Sequence, residues 1–146
     1  MSGAVLVDAN VLVYERDSAH PDKRETAAAW MEHLWRRRRG RVSIQVLNEF
    51  YVIATQSLKP GLGREQARAV VRNLYAWRPI AVDRLVMEGA FLLQERFQLS
   101  FWDALIVSAG QISGCSYLLT EDLSDGAIYD DLRVVNPFTH APGLLA

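Results

Sequence analysis

Four acidic residues stand where solubility alone does not explain them. Asp103 lies in the first turn of Ser100-Phe101-Trp102-Asp103-Ala104-Leu105-Ile106-Val107-Ser108-Ala109, a helical stretch apolar on nearly every side and therefore an interior element. Asp8 ends the apolar run Ala4-Val5-Leu6-Val7, Glu49 sits among Leu47, Phe50 and Tyr51, and Asp122 follows Tyr117-Leu118-Leu119 by a few residues. A carboxylate that loses its water must find donors, a cation or a proton. When several carboxylates meet, they raise one another's pKa or gather a cation. Neither lysine (Lys23, Lys59) falls in these stretches, and His20, His33 and His140 are too scattered for zinc spacing. The expected cation is a metal, and all-oxygen ligation favours Mg2+ or Mn2+. Such a centre activates water and stabilises the charge that builds on a phosphate during in-line displacement.

Each acid also has a structural reading. Ser100 with Asp103 resembles a capping box, Asp8 or Asn10 can cap a short helix, and a lone Glu49 reads as a rim residue or a partner of a helix dipole. Convergence decides between the two readings, so the elements that carry the acids matter. Ala4–Val7 suits a strand buried on both faces, with Asp8 at its carboxyl end. A helix is expected from Pro21 to about Arg38, closing on Arg36-Arg37-Arg38-Arg39 before a stop at Gly40; the arginines read as a solvated helix end at the sheet edge opposite Asp8, with a peripheral nucleic-acid contact as the alternative. Arg41–Ile44 is a second strand running into a helix over 45–54 that carries Glu49 about one turn in. A helix over 64–74, a third strand at Pro79–Val82, an Asp83-capped helix over 85–97 and the Asp103 helix follow. Ser113-Gly114 stops that helix, Tyr117–Leu119 is a fourth buried strand, and Val134-Val135 is a last short one.

Short apolar strands alternating with longer helices predict an α/β fold, a three-layer sandwich around a mostly parallel sheet of four to five short strands. Asp8, Glu49, Asp103 and Asp122 each fall just after a strand or early in a helix, so all four can meet at one sheet edge, where open α/β sheets bind ligands. The 146 residues, half of them hydrophobic, suffice for one domain over 1–146 with a sizeable core. A net charge of −1 excludes a basic nucleic-acid coat, although 14 of the 16 positive residues are arginine. The single cysteine, Cys115, excludes an internal disulfide and reads as buried packing. No targeting segment and no apolar run of membrane-spanning length is visible, so a cytoplasmic protein is expected.

Taken together, Val5-Leu6-Val7-Asp8-Ala9-Asn10-Val11-Leu12, Val46-Leu47-Asn48-Glu49-Phe50, Phe101-Trp102-Asp103-Ala104-Leu105-Ile106 and Leu118-Leu119-Thr120-Glu121-Asp122-Leu123 resemble the four motifs of PIN-domain ribonucleases, particularly VapC-type toxins. The resemblance spans almost the whole chain and keeps the family's motif order. It implies a PIN-like fold, metal-binding acids at Asp8, Asp103 and Asp122 with Glu49 beside them, an assisting hydroxyl at Thr120, and accessory places for Asn10 and Asp125. It further implies an Mg2+-dependent endoribonuclease that cuts single-stranded or looped RNA, forms a homodimer and is held inactive by a cognate antitoxin. Two other readings compete. A phosphotransfer protein using Asp8 as nucleophile needs a second acid where Asn10 stands and a lysine after a late strand, which the chain lacks. A non-catalytic binding module of the same fold is disfavoured by the retention of all four acids.

Overall fold

Strand β1 (Val5–Val7) is the centre of the molecule, and all three of its residues are fully buried. Successive side chains on a strand point to opposite faces, so burial of all three requires cover on both sides of the sheet. The computed structural model describes residues 3–145; the single domain expected over 1–146 extends outside that range at both ends. After β1 come helices α1 (Ala9–Tyr14) and α2 (Pro21–Arg37), strand β2 (Gly40–Arg41) and helices α3 (Ile44–Val52), α4 (Arg64–Leu74), α5 (Arg84–Arg96) and α6 (Phe101–Ile112). Strands β3 (Tyr117–Leu119), β4 (Ile128–Tyr129) and β5 (Leu132–Val135) complete the sheet. Its order is β2-β1-β3-β5-β4, parallel except for β4, as the α/β reading predicts.

Parallel register carries the functional edge. Val5, Leu6 and Val7 pair with Tyr117, Leu118 and Leu119, so Asp8 and Thr120 leave their strands side by side. Helix α6 packs against β3 and β5, α5 packs along α6, and α1 is lodged against α2 and α3. Ser100 caps α6 by accepting from the Asp103 amide at 3.1 Å, and Ala104 through Gly110 are buried without interruption, as expected for an interior helix. Asp83 caps α5 through the Val86 amide at 3.1 Å, and Cys115 is buried and free.

The structure corrects several local expectations. Pro79–Val82 is not a strand. Ile80 alone bridges to Ser43, accepting from Ile44 N and donating to the Val42 carbonyl at 2.9 Å each, because Pro79 has no amide to extend the ladder and the chain turns at once to the Asp83 cap. Strand β4 was not anticipated; it forms a hairpin with β5 through Asp130-Asp131, with Asp130 at φ 56° in place of the usual Asn-Gly signal. Helix α2 ends on Arg38, which takes the left-handed cap at φ 55°, while Gly40 enters β2. Arg39 is not solvated: it is 8% exposed and donates to the carbonyls of Gly3 at 2.8 Å and Leu145 at 2.9 Å, tying both ends of the described chain to the end of α2.

The α5/α6 contact is close enough to require a glycine. A Cβ on Gly89 would lie 2.3 Å from the Ser108 Oγ, which is fully buried and donates to the Val86 carbonyl at 2.7 Å. Gly89→Ala is therefore expected to destabilise the fold by roughly 1–3 kcal/mol through overpacking, despite alanine's better helix propensity. The double substitution Gly89→Ala/Ser108→Ala should recover most of that loss. Denaturant unfolding of the three proteins checks both, and a Gly89→Ala protein as stable as wild type would show that the helices are not in contact there.

Candidate active site

The site is built around the carboxylate of Asp8. As N-cap of α1, Asp8 has extended backbone and turns its Oδ1 to accept from the Ala9 amide at 2.7 Å. Its Oδ2 accepts from the Thr120 hydroxyl at 2.8 Å. Asn10, the second residue of α1, spreads its amide nitrogen across the group: 3.5 Å from Asp8 Oδ2, 3.0 Å from Thr120 Oγ1 and 3.1 Å from Asp122 Oδ2. The Thr120 Oγ1 in turn accepts from the Asp122 backbone amide at 3.0 Å. Thus the strand-end register brings Asp8, Asn10, Thr120 and Asp122 into one hydrogen-bonded cluster. Thr120 and Asn10 are what hold two like charges near each other.

Electrostatics follow from that crowding. Burial is the largest cause that raises the Asp8 pKa, to about 6, against the lowering effect of the Thr120 and Ala9 hydrogen bonds; the charges of Asp122 and Glu49 push the same way as burial. Glu49 thus faces Asp8 from α3. Gln45, a buried residue one turn earlier, donates to Glu49 Oε1 at 3.0 Å and to the carbonyl of Trp102 at 3.2 Å, so it links α3 to the start of α6. The Asp103 carboxylate does not close a capping box. Ser100 receives the Asp103 amide, but among the described residues the carboxylate itself has no hydrogen-bond partner. Its charge is felt by the Tyr129 phenol, whose pKa is raised by burial and by Asp103.

As they stand, no three of the acids, histidines or cysteines among the described residues are close enough to hold a metal ion. Two buried amide oxygens at the site, Asn10 Oδ1 and Gln45 Oε1, lack partners. With the carboxylates, they make an oxygen-only donor set suited to a hard divalent cation or its water.

Asp125 is placed elsewhere. It accepts from the Asn136 amide at 2.9 Å and lies 2.7 Å from His140 Nε2, contacts that lower its pKa, the Asn136 bond first. Neither lysine falls in the acidic stretches of the sequence, yet Lys23 reaches the residue next to Asp122 in the chain. Lys23 Nζ is 2.7 Å from Glu121 Oε2, beside Asp122, and lies 4.6 Å and 4.9 Å from the ring centroids of Tyr14 and Phe138. Lys23 and Gln45 were both missed. Nothing local marks Lys23, which meets Glu121 from a separate helix, whereas Gln45 stands four residues before Glu49 on α3 and that spacing was the available signal.

A parallel sheet with an acidic cluster at its carboxyl edge defines the general class, an α/β protein with a strand-end ligand site. The pattern that defines the PIN domain matches residues 5–124, and the chain belongs to that family. Three solved structures share the fold. A toxin-antitoxin complex from Klebsiella pneumoniae has a chain 21% identical, with 92% of this chain and 98% of that one covered at a TM-score of 0.64. VapBC2 from Rickettsia felis, bound to a DNA fragment from its promoter, is 16% identical with 90% and 96% covered at 0.61. VapC20 from Mycobacterium tuberculosis, a toxin that cleaves the Sarcin-Ricin loop, is 20% identical with 79% and 87% covered at 0.56. No curated protein matches the chain in sequence.

The raised Asp8 pKa has a definite sign. The unfolded side chain ionises near 3.8 and the folded one near 6, so the folded state binds its proton more tightly. The stability this contributes is present below pH 3.8 and is lost as pH rises through about 6. In EDTA, wild type should lose about 2 kcal/mol more than Asp8→Asn between pH 4 and pH 7. Parallel pH profiles of the two proteins would show that Asp8 is not held against burial and like charge.

Proposed function

We propose that the chain is an Mg2+-dependent endoribonuclease of the VapC toxin type, neutralised by a cognate antitoxin. The observation that carries this is Asp8: a strand-end carboxylate kept in place by Thr120 and Asn10 beside Asp122 and within the field of Glu49. With its pKa near 6, Asp8 is mostly ionised at neutral pH and ready to serve as a ligand.

Asp8, Asp103 and Asp122 would hold the ion, with Mn2+ as a substitute. When bound, the ion supplies water activation and screens the phosphodiester's charge. Thr120 orients Asp8 and the backbone of Asp122 through one hydroxyl, so the two ligands keep a fixed relation while substrate enters. Glu49, held by Gln45, stands ready to accept a proton at its carboxylate from the attacking water. The free Asp103 carboxylate has its acceptor positions open toward a ligand. The three similar structures support the partners: two are toxin–antitoxin assemblies and one toxin cuts an RNA loop. Helix α5 leaves Leu85, Met87, Phe91 and Leu92 exposed, an apolar face that supports a homodimer. Among the described residues no helix is long and apolar enough to cross a membrane, and an RNA substrate would place the protein in the cytoplasm.

Asp8→Ala and Asp103→Ala should each reduce Mg2+-dependent RNA cleavage by at least about 100-fold while the proteins stay folded, and EDTA should abolish the wild-type activity. Arg37→Ala, at the opposite edge, should leave turnover nearly unchanged. Gel assays on a mixed RNA substrate measure all three, and wild-type rates from either folded acid variant would remove the site assignment. Thermal unfolding adds an independent reading: millimolar Mg2+ should stabilise wild type and do so much less for Asp103→Asn.

A further inference from the structure

The proposed activity leaves a second cluster unused, on the outer side of edge strand β2. Arg38 from the cap of α2, Arg41 from β2 and Arg78 from the turn after α4 line one pocket of about 380 Å³. Its walls are the indoles of Trp35 and Trp77, whose ring centroids are 4.8 Å apart. Among the described residues no carboxylate lines it. The chain has 17 acidic residues, yet among the described residues none forms an ion pair with any of these three arginines. Guanidiniums that share a pocket repel one another, and the repulsion is relieved by an anion.

The backbone adds an independent observation. Arg38 and Arg78 have φ of 55° and 51°, a conformation natural to glycine and uncommon for a long side chain. Arginine therefore occupies two positions where the backbone favours another residue, and both of its side chains line the same pocket. The positive field extends along the end of α2: the His33 pKa is lowered by burial and then by Arg37, Arg36 and Arg39.

We infer that this pocket is a docking site for the phosphodiester backbone of single-stranded RNA, a second contact for the substrate of the proposed nuclease, on whose RNA reading it rests. Planar guanidinium forks match phosphate oxygens, and the adjoining indoles offer apolar wall to a base. The pocket is of nucleotide size, too small for a helix. Gly40 and Arg41 of the pocket pair with Val5 and Leu6, and from Val5 to Asp8 the strand climbs only about 10 Å at ~3.3 Å per residue, so one strand of several nucleotides can reach both places.

The test uses Arg38→Gly/Arg41→Gln/Arg78→Gly, in which both glycines suit the local backbone, with Arg84→Gln on α5 as control. Binding of a short fluorescent single-stranded RNA is measured in EDTA, where no cleavage is required. The triple variant should unfold at the wild-type temperature or above, bind the RNA roughly tenfold to hundredfold more weakly, and show a salt dependence shallower by about two, as expected for three lost phosphate contacts. The control should bind like wild type. In Mg2+, the triple variant should show a raised KM with kcat unchanged. Wild-type affinity and salt slope in the folded triple variant overturn the inference, as does equal weakening by Arg84→Gln. Loss of binding to polyglutamate with RNA binding intact overturns it too, and makes the occupant an acidic peptide. If wild type binds RNA through these arginines but cuts none in Mg2+, the nuclease reading fails and the docking site stands.

Discussion

Placing a carboxylate at the end of a fully buried strand is the constraint on which this molecule depends. Val5, Leu6 and Val7 have no exposure, and the chain leaves β1 directly into Asp8. Burial alone would protonate or expel such a group. Three donors oppose this: the Ala9 amide, the Thr120 hydroxyl and the Asn10 side chain. Two of the three are supplied by the turn that starts α1, and the third by the register of β3 against β1. A slip of one residue in that pairing would remove Thr120 from the group and exchange the two buried faces against which the β3 side chains pack. The same register thus fixes both the core and the chemistry.

The acids were legible because each interrupts an apolar pattern. Asp8 ends a continuous run, Asp103 breaks a helix that is buried from Ala104 to Gly110, and Asp122 follows a buried strand. The helices and the parallel strands followed from period and punctuation. What failed to appear were features whose cause is tertiary. Gln45 looks like any first-turn polar residue until α6 supplies the Trp102 carbonyl. Lys23 meets Glu121 across 98 residues of chain. Arg39 reads as part of a solvated run because nothing in the sequence shows that two distant carbonyls converge on it. Strand β4 has only two residues, too short for alternation to register, and its turn uses Asp-Asp. Pro79–Val82 failed in the other direction, as an apolar run with a partner for one residue only.

The two ends of the sheet are electrically unlike, and the helices help make them so. Asp8 caps the N-terminus of α1 and Asp103 sits in the first turn of α6, where the helix dipole favours negative charge. Arg36 and Arg37 lie in the last turn of α2, and Arg38 ends it, where the dipole favours positive charge. Secondary structure alone therefore pays part of the cost of separating the charges of a chain whose net charge is only −1.

That separation bears on how a polyanion is received. An edge carrying Asp8, Asp122 and Glu49 repels phosphate until a cation neutralises it, so the acids would not supply the attraction for the proposed RNA substrate. Attraction must come from surface that is positive without a bound ion. Among the arginines, those at Glu15, Glu32, Glu65 and Asp130 are already paired. Arg38, Arg41 and Arg78 are among those with no ion pair among the described residues, and these three line one pocket beside β2, the strand that neighbours β1. For the proposed nuclease this would divide the labour: arginines set apart from the acids would attract the substrate, while the acids would hold the ion.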